Sequence, residues 1–317
     1  MPLIIVLYSL FASVFTIAKI GLGYTQPFFF VGTRMVFAGV LMLAYMWFTN
    51  PNSVKIHRGT VKRLLALAFF NIYLTNAMEF WGLKYLTSFK TCFIYSLSPF
   101  MAALFSFLVF DERMTNRKWI GLSIGFMGFV PILFQMGGQD AEMIYGGIFS
   151  LPELAVVVAA IASSYGWIVM RQLIREDGYH PMIANGFSML VGGFFALAHS
   201  GLAETWQPFP VTDYVVFTEC TLLLVLISNI LAYNLYGFLL KRFTATFLSF
   251  SGFMCPLLAA FFGWLVLGET ITLMFMSSAA VVFAGLIVFY QEELRIGVRL
   301  PEEPVPAAST ELVESGA

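Results

Sequence analysis

Long apolar runs separated by short polar stretches dominate the chain. A helix rises 1.5 Å per residue, so a hydrocarbon core of roughly 30 Å takes about 20 apolar residues to cross. Ten runs meet that length, at about 2–22, 28–48, 64–83, 88–110, 119–136, 149–170, 182–199, 214–237, 243–267 and 272–290. The separators carry turn chemistry, as in "TNPNS", "DERMTN", "QMGGQD", "REDGYHP" and "SGLAETWQPFP". The pattern predicts an all-α integral membrane protein with ten transmembrane helices. The first run lacks a basic start and an A-x-A cleavage site, so it reads as a spanning helix and not as a signal peptide. Residues 291–317 hold six glutamates, three prolines and little to bury, which predicts a disordered acidic tail on the cytoplasmic side.

Composition agrees with a lipid solvent. Hydrophobic residues are 59% of 317 and charged residues 11%, against about 25% charged in soluble domains. A net charge of −1 gives no sign of a nucleic-acid partner. Cys92, Cys220 and Cys255 all lie in apolar runs without paired spacing, so they read as buried small hydrophobes, and no metal or cofactor is expected.

Basic residues then set the orientation. With the amino terminus inside, the cytoplasmic segments hold Lys55, Arg58, Lys62, Arg63, Arg113, Arg117, Lys118, Arg171, Arg175, Lys241, Arg242, Arg295 and Arg299, and the opposite side only Lys84 and Lys90. Thirteen against two is a strong positive-inside bias and puts both termini in the cytoplasm of a cell that carries the protein in its inner (plasma) membrane.

The chain also repeats itself. Residues 98–115, "SPFMAALFSFLVFDERMT", match 255–272, "CPLLAAFFGWLVLGETIT", at an offset of 157, pairing Pro99 with Pro256 and Glu112 with Glu269. The first copy ends in Arg113, Arg117 and Lys118, and the second has no basic residue after Glu269 until Arg295. Lys84 on Lys241, Thr87 on Thr244 and Gly128 on Gly285 extend the match, and Pro27 on Pro181, Gly32 on Gly186 and Gly39 on Gly193 agree at an offset of 154. Five helices per unit is an odd number, so the second copy lies upside down, and the loss of flanking charge follows. The predicted units are 1–137 and 148–290, two inverted five-helix repeats, an organisation used by secondary transporters to expose one central site to alternate sides.

"FTIAKIGLGYTQPFFFVGTRMVFAGVLML" resembles the opening of the EamA-type transporters of the drug/metabolite transporter superfamily, and "SLSPFMAALFSFLVFDERMTNRKWIGLSIGFMGFVPIL" resembles that family's fourth and fifth helices. The likeness covers about residues 5–290. It implies export or exchange of small metabolites, among them amino acids, their derivatives and nucleoside-linked compounds such as S-adenosylmethionine. One departure is Phe11-Ala12, where the family often has Trp-Gly.

Ionisable residues within the runs are the first candidates for a substrate path, because each costs a few kcal/mol or more in hydrocarbon. Glu79 leads. Asn71, Thr75 and Glu79 fall at i, i+4 and i+8 and form one polar stripe. Its carboxylate suits an ammonium, a sulfonium or a coupling proton; the competing reading pairs it with a neighbour such as Lys19. Arg34 suits a substrate carboxylate or a structural ion pair. Lys19 lies nearer the boundary, where snorkelling competes with binding. Glu153 follows Pro152 and suits the first turn of a helix, and Glu219 lies deeper with no capping role. Tyr95 with Thr91 and Ser98, Asn229 with Tyr233 and Tyr236, and Ser9 with Ser13 and Thr16 form further polar stripes, the hydroxyls having an alternative in bonds to their own helix. Pro99 and Pro256 each remove a backbone hydrogen bond at matching places and are predicted hinges. Gly121-x-x-x-Gly125 and Gly128 read as a close helix contact, within one chain or in a homodimer. Trp81, Tyr165 and Trp167 suit either a planar ligand or the membrane interface.

The expected activity is therefore secondary transport of a small polar, zwitterionic metabolite. A lipid or polyprenyl-carrier flippase of the same fold is the alternative. An intramembrane enzyme is remote, since H-E-x-x-H is missing, and the G-x-x-x-x-G-K-[ST] of an ATP-driven pump is missing too.

Overall fold

The computed structural model describes residues 2–51, 57–110, 115–135, 150–241, 243, 248, 251–252, 254–270 and 272–296. Regular structure among them is helical, apart from an isolated bridge between Thr25 and Val211. The helices are α1 (Pro2–Leu22), α2 (Pro27–Thr49), α3 (Arg58–Tyr85), α4 (Ser88–Tyr95), α5 (Ser98–Phe110), α6 (Asn116–Gln135), α7 (Leu151–Arg175), α8 (Pro181–Ala203), α9 (Tyr214–Leu239), α10 (Met254–Leu267) and α11 (Leu273–Ile296). Six of them, α1, α2, α3, α7, α8 and α9, are long and apolar enough to cross a membrane. Phe48, Leu202 and Leu273 are exposed on the outside, as a surface solvated by lipid tails allows.

Local sequence explains the boundaries. Pro27, Pro152 and Pro181 open or nearly open their helices, where the missing N–H costs nothing. Asp213 accepts from the Val215 and Val216 amides at 2.9 and 3.1 Å and starts α9. The Glu153 carboxylate accepts from the Ser150 amide at 2.9 Å and starts α7, as the capping reading expected. Gly268, with φ of 66°, ends α10 in the left-handed conformation that L side chains resist.

Two boundaries differ from expectation. The run at 88–110 is not one helix: α4 stops at Tyr95 and α5 begins at Ser98, with Leu97 N–H closing a tighter turn onto the Ile94 carbonyl at 3.0 Å. Pro99, which has no N–H to give, follows at once. At the other end, α11 continues to Ile296, into the segment expected to be disordered; residues 297–317 lie outside the described ones. So do Arg113, Glu112 and Thr244, three of the matched or charge-bearing positions.

The helices pack in a paired arrangement. α2 lies on α8 and α6 on α11; α1 packs on α9 and α10, and α7 on α3, α4 and α5. The glycines set how closely these pairs approach. A Cβ on Gly39 would lie 2.6 Å from the Leu190 amide, and one on Gly193 2.7 Å from that of Val36. One on Gly285 would lie 2.4 Å from the Gly125 amide, so the α6 glycine face is used against α11 of the same chain.

Local details recur between α3 and α9. α3 passes through a wide, π-helical stretch at Leu67–Leu74, and α9 through another at Val225–Ala232, 158 residues later. Each follows the pattern N-I-x-x-x-N. The Asn76 amide donates to the Asn71 and Ile72 carbonyls at 3.3 and 2.9 Å, and the Asn234 amide to those of Asn229 and Ile230 at 3.4 and 2.8 Å. A neighbouring helix then holds each asparagine oxygen: Arg34 Nη2 at 2.5 Å from Asn76 Oδ1, and Asn185 Nδ2 at 3.0 Å from Asn234 Oδ1. Cations close the same two helices. Lys19 Nζ donates to the Leu83, Lys84 and Leu86 carbonyls at 2.8, 3.1 and 2.7 Å. Arg175 donates to those of Leu240 and Lys241 at 2.9 and 3.2 Å. Such contacts suit the negative end of the helix dipole.

Candidate functional site: an acidic and aromatic cavity among six helices

A cavity of about 90 Å³ lies where α1, α3, α4, α7, α9 and α10 meet. Asn76 and Glu79 reach it from α3, Cys92 and Tyr95 from α4, and Ser96 and Ser98 from the α4–α5 break. Ser163, Ser164 and Trp167 come from α7, Tyr233 and Tyr236 from α9, and Tyr8, Phe11 and Phe15 from α1. Helical spacing accounts for the α3 and α9 sets: Asn76 and Glu79 are i, i+3, as are Tyr233 and Tyr236.

The rings form one connected wall. Trp167 stacks on Tyr236 with centroids 4.0 Å apart and planes at 28°, and meets Tyr233 at 5.3 Å. Phe11 presents an edge to Tyr233 at 6.1 Å and to Tyr236 at 6.3 Å. Tyr95 and Ser163 both line the cavity, and the Phe15 and Tyr95 rings meet edge-on at 6.3 Å.

Glu79 is the acidic group of this cavity and is 8% exposed. Arg34 stands behind it as its electrostatic counterpart. The guanidinium is 1% exposed, lies 4.2 Å from the Phe80 ring centre, and bonds Asn76, which bonds the Tyr233 hydroxyl at 3.3 Å. Its Nε and Nη1 have no hydrogen-bond partner. A carboxylate, an arginine and two neutral relays thus link α2, α3 and α9.

The sequence-derived candidates divide. Glu79, Tyr95 and Ser98 line the cavity, and Arg34 supports it through Asn76. Lys19 does not pair with Glu79; its bonds close the end of α3. Asn71 is buried against Gly166 at the α3–α7 contact, and Asn229 donates to the Met35 sulfur at 2.9 Å, so neither lines the cavity. Glu219 is exposed on α9 away from it. Pro256 lies in the first turn of α10 beside Cys255, which does line it. Lys90 was expected in an outer loop and is instead buried in α4, its Nζ 2.5 Å from Glu153 Oε1. The i+4 repeat of Ser and Thr proved ambiguous for the expected reason: Ser9, Ser13 and Thr91 bond their own helices.

Trp167, Tyr8 and Asn76 carry more of the site than their sequence positions suggested. Trp167 was legible only as one of several aromatics. Asn76 had a signal that went unread, the recurrence of N-I-x-x-x-N at 71–76 and 229–234.

Comparison with known proteins gives three results. The model of the EamA-like transporter family matches residues 1–134 and 150–291. An S-adenosylmethionine/S-adenosylhomocysteine transporter of Chlamydia muridarum is 37% identical over 295 residues, covering 93% of this chain and 92% of the relative. Its counterpart in Chlamydia trachomatis serovar L2 is 36% identical over the same length, and the uncharacterized transporter YoaV of Bacillus subtilis is 24% identical over 271 residues, covering 84% of this chain and 88% of YoaV. A solved crystal structure superposes with a TM-score of 0.67 over 93% of this chain and 97% of its own, at 16% identity, a likeness of fold.

Proposed function

The chain belongs to the EamA-like transporter family, and from that premise we propose that it carries S-adenosylmethionine and S-adenosylhomocysteine across the inner membrane by exchange. The observation that carries this reading is Glu79, a carboxylate held in a cavity walled by tyrosine, tryptophan and phenylalanine. A sulfonium is a soft, weakly hydrated cation, and aromatic faces with one anion are the surroundings that attract such a charge most strongly when water is excluded. The 36–37% identity to relatives named for these two compounds supports the same substrates.

The transport unit is ten spans in two inverted halves, α1–α6 and α7–α11, with both termini cytoplasmic. Its support is the exchange symmetry of the packing, the paired N-I-x-x-x-N turns and the matched caps by Lys19 and Arg175. At about 90 Å³ the cavity holds a few waters, and ligand sites run to about 300–1,000 Å³. A nucleoside-sized substrate therefore enters a different, opened conformation. Alternating access supplies one on each side, with the α4–α5 break before Pro99 and the start of α10 at Pro256 as the bending points. Glu79 neutralises the cation, the rings replace its hydration, and Arg34 steadies the acidic wall from behind through its bond to Asn76.

The test is thermal stability of the purified full chain in detergent. A ligand at 100 times its Kd stabilises the protein by about 2.7 kcal/mol, so S-adenosylmethionine and S-adenosylhomocysteine are expected to raise the melting temperature, and amino acids or a soluble lipid analogue are not. A response to the lipid analogue alone moves the function to a flippase.

A further inference from the structure

We infer that recognition is divided between the halves, with a purine subsite on the Trp167–Tyr236 stack and a separate cation subsite at Glu79. This rests on the transport reading above and deepens it. The two groups of side chains come from different parts of the fold. Glu79 and Asn76 belong to α3 and Tyr95 to α4, all in the first half. Trp167 belongs to α7 and Tyr236 to α9, in the second.

The chemistry at the two ends differs accordingly. Trp167 and Tyr236 are already stacked, buried to 8% and 3% exposure, and braced at the edge by Phe11. A preformed aromatic surface recognises a planar base without ordering any side chain to do so. At the other end a buried carboxylate meets hydroxyl and amide groups, a setting for a positive charge. Tyr233 joins the two, with its hydroxyl on Asn76 and its ring against Trp167. A ligand carrying both a base and a cation bridges the halves. One that carries a single feature occupies one subsite and leaves the other half unengaged. Nucleoside-linked sulfonium compounds meet both requirements; free amino acids and free nucleosides meet one each.

The experiment is competition against uptake of labelled S-adenosylmethionine by proteoliposomes containing the full chain. The competitors are adenosine, which has the base alone, and S-methylmethionine, which has the sulfonium alone. Trp167→Leu is expected to weaken adenosine at least tenfold and leave S-methylmethionine within about twofold. Glu79→Gln is expected to do the reverse. Where residual uptake is too low to inhibit, Trp167→Phe and Glu79→Asp replace them, and the same competitors are read as shifts in melting temperature. Equal weakening of both competitors in either variant overturns the division, as does no weakening. If the unaltered protein takes up no S-adenosylmethionine, the transport reading has failed. The division then stands or falls on the melting shifts alone.

Discussion

At the scale of single residues, buried charge carries most of the meaning. Lys90 and Glu153 face one another with side chains 3% and 2% exposed. Breaking such a pair strands an uncompensated charge and costs about 3–5 kcal/mol, so Lys90→Met is expected to lower the melting temperature sharply. Adding Glu153→Gln, which keeps an oxygen for the Ser150 amide, is expected to restore much of the loss. Arg34→Gln is expected to cut S-adenosylmethionine uptake at least tenfold with the protein still folded, since it removes the counter-charge of Glu79 and one bond to Asn76. Glu79 and Arg34 stand out in the sequence because a charge in a long apolar run is conspicuous. It misassigned Lys90 because, within a few residues of a span's end, depth cannot be told from loop position. It overvalued Asn71, Asn229 and Glu219 because a polar residue in an apolar helix has three possible neighbours: the cavity, another helix or lipid. Only tertiary packing decides among them.

At the scale of elements, the matched turns of α3 and α9 differ in one way that bears on function. Asn76 lines the cavity and is held by a charged arginine, and Asn234 is held by a neutral amide and does not line it. Asn76→Ala is therefore expected to raise KM for uptake, and Asn234→Ala to slow turnover with KM little changed. The close helix pairs are less tolerant. Gly285→Leu puts a side chain where a Cβ would already sit 2.4 Å from backbone, and the expected result is loss of the monodisperse peak in size exclusion. Just outside the span, His180 starts α8, its Nδ1 accepting from Met182 N–H at 3.3 Å. Burial and Lys241 hold its imidazole below the usual range. The neutral form is the one that caps, so its contribution is present above about pH 6.5 and fades as pH falls. A melting temperature that drops on acidification, and does so less in His180→Asn, checks this. The six long spanning helices lie where apolar run length predicted them. The α4–α5 break was announced only by Pro99, and the two π-helical stretches by nothing but the repeated asparagines, since a widened turn leaves the 3.6-residue hydrophobic period almost unchanged.

At the scale of the whole molecule, the two segments that match the family model, residues 1–134 and 150–291, line one cavity with unlike residues. The paired packing, with α2 on α8 and α6 on α11, fits the proposed inverted repeat, whose halves would exchange roles when the protein opens to one side or the other. The cavity breaks that symmetry: position 79 is glutamate in the first half, and its counterpart at the α3–α9 offset of 158 is Gly237. The proposed division, one acidic pole against one aromatic pole, would give the substrate a fixed orientation, so that the same compound is read alike from both sides. The measurement that tests this most directly is counterflow: labelled S-adenosylmethionine outside proteoliposomes loaded with unlabelled S-adenosylhomocysteine. Exchange transport predicts transient accumulation above the external concentration, abolished in Glu79→Gln. Uptake that is no faster with loaded than with empty vesicles, or accumulation that survives Glu79→Gln unchanged, contradicts it.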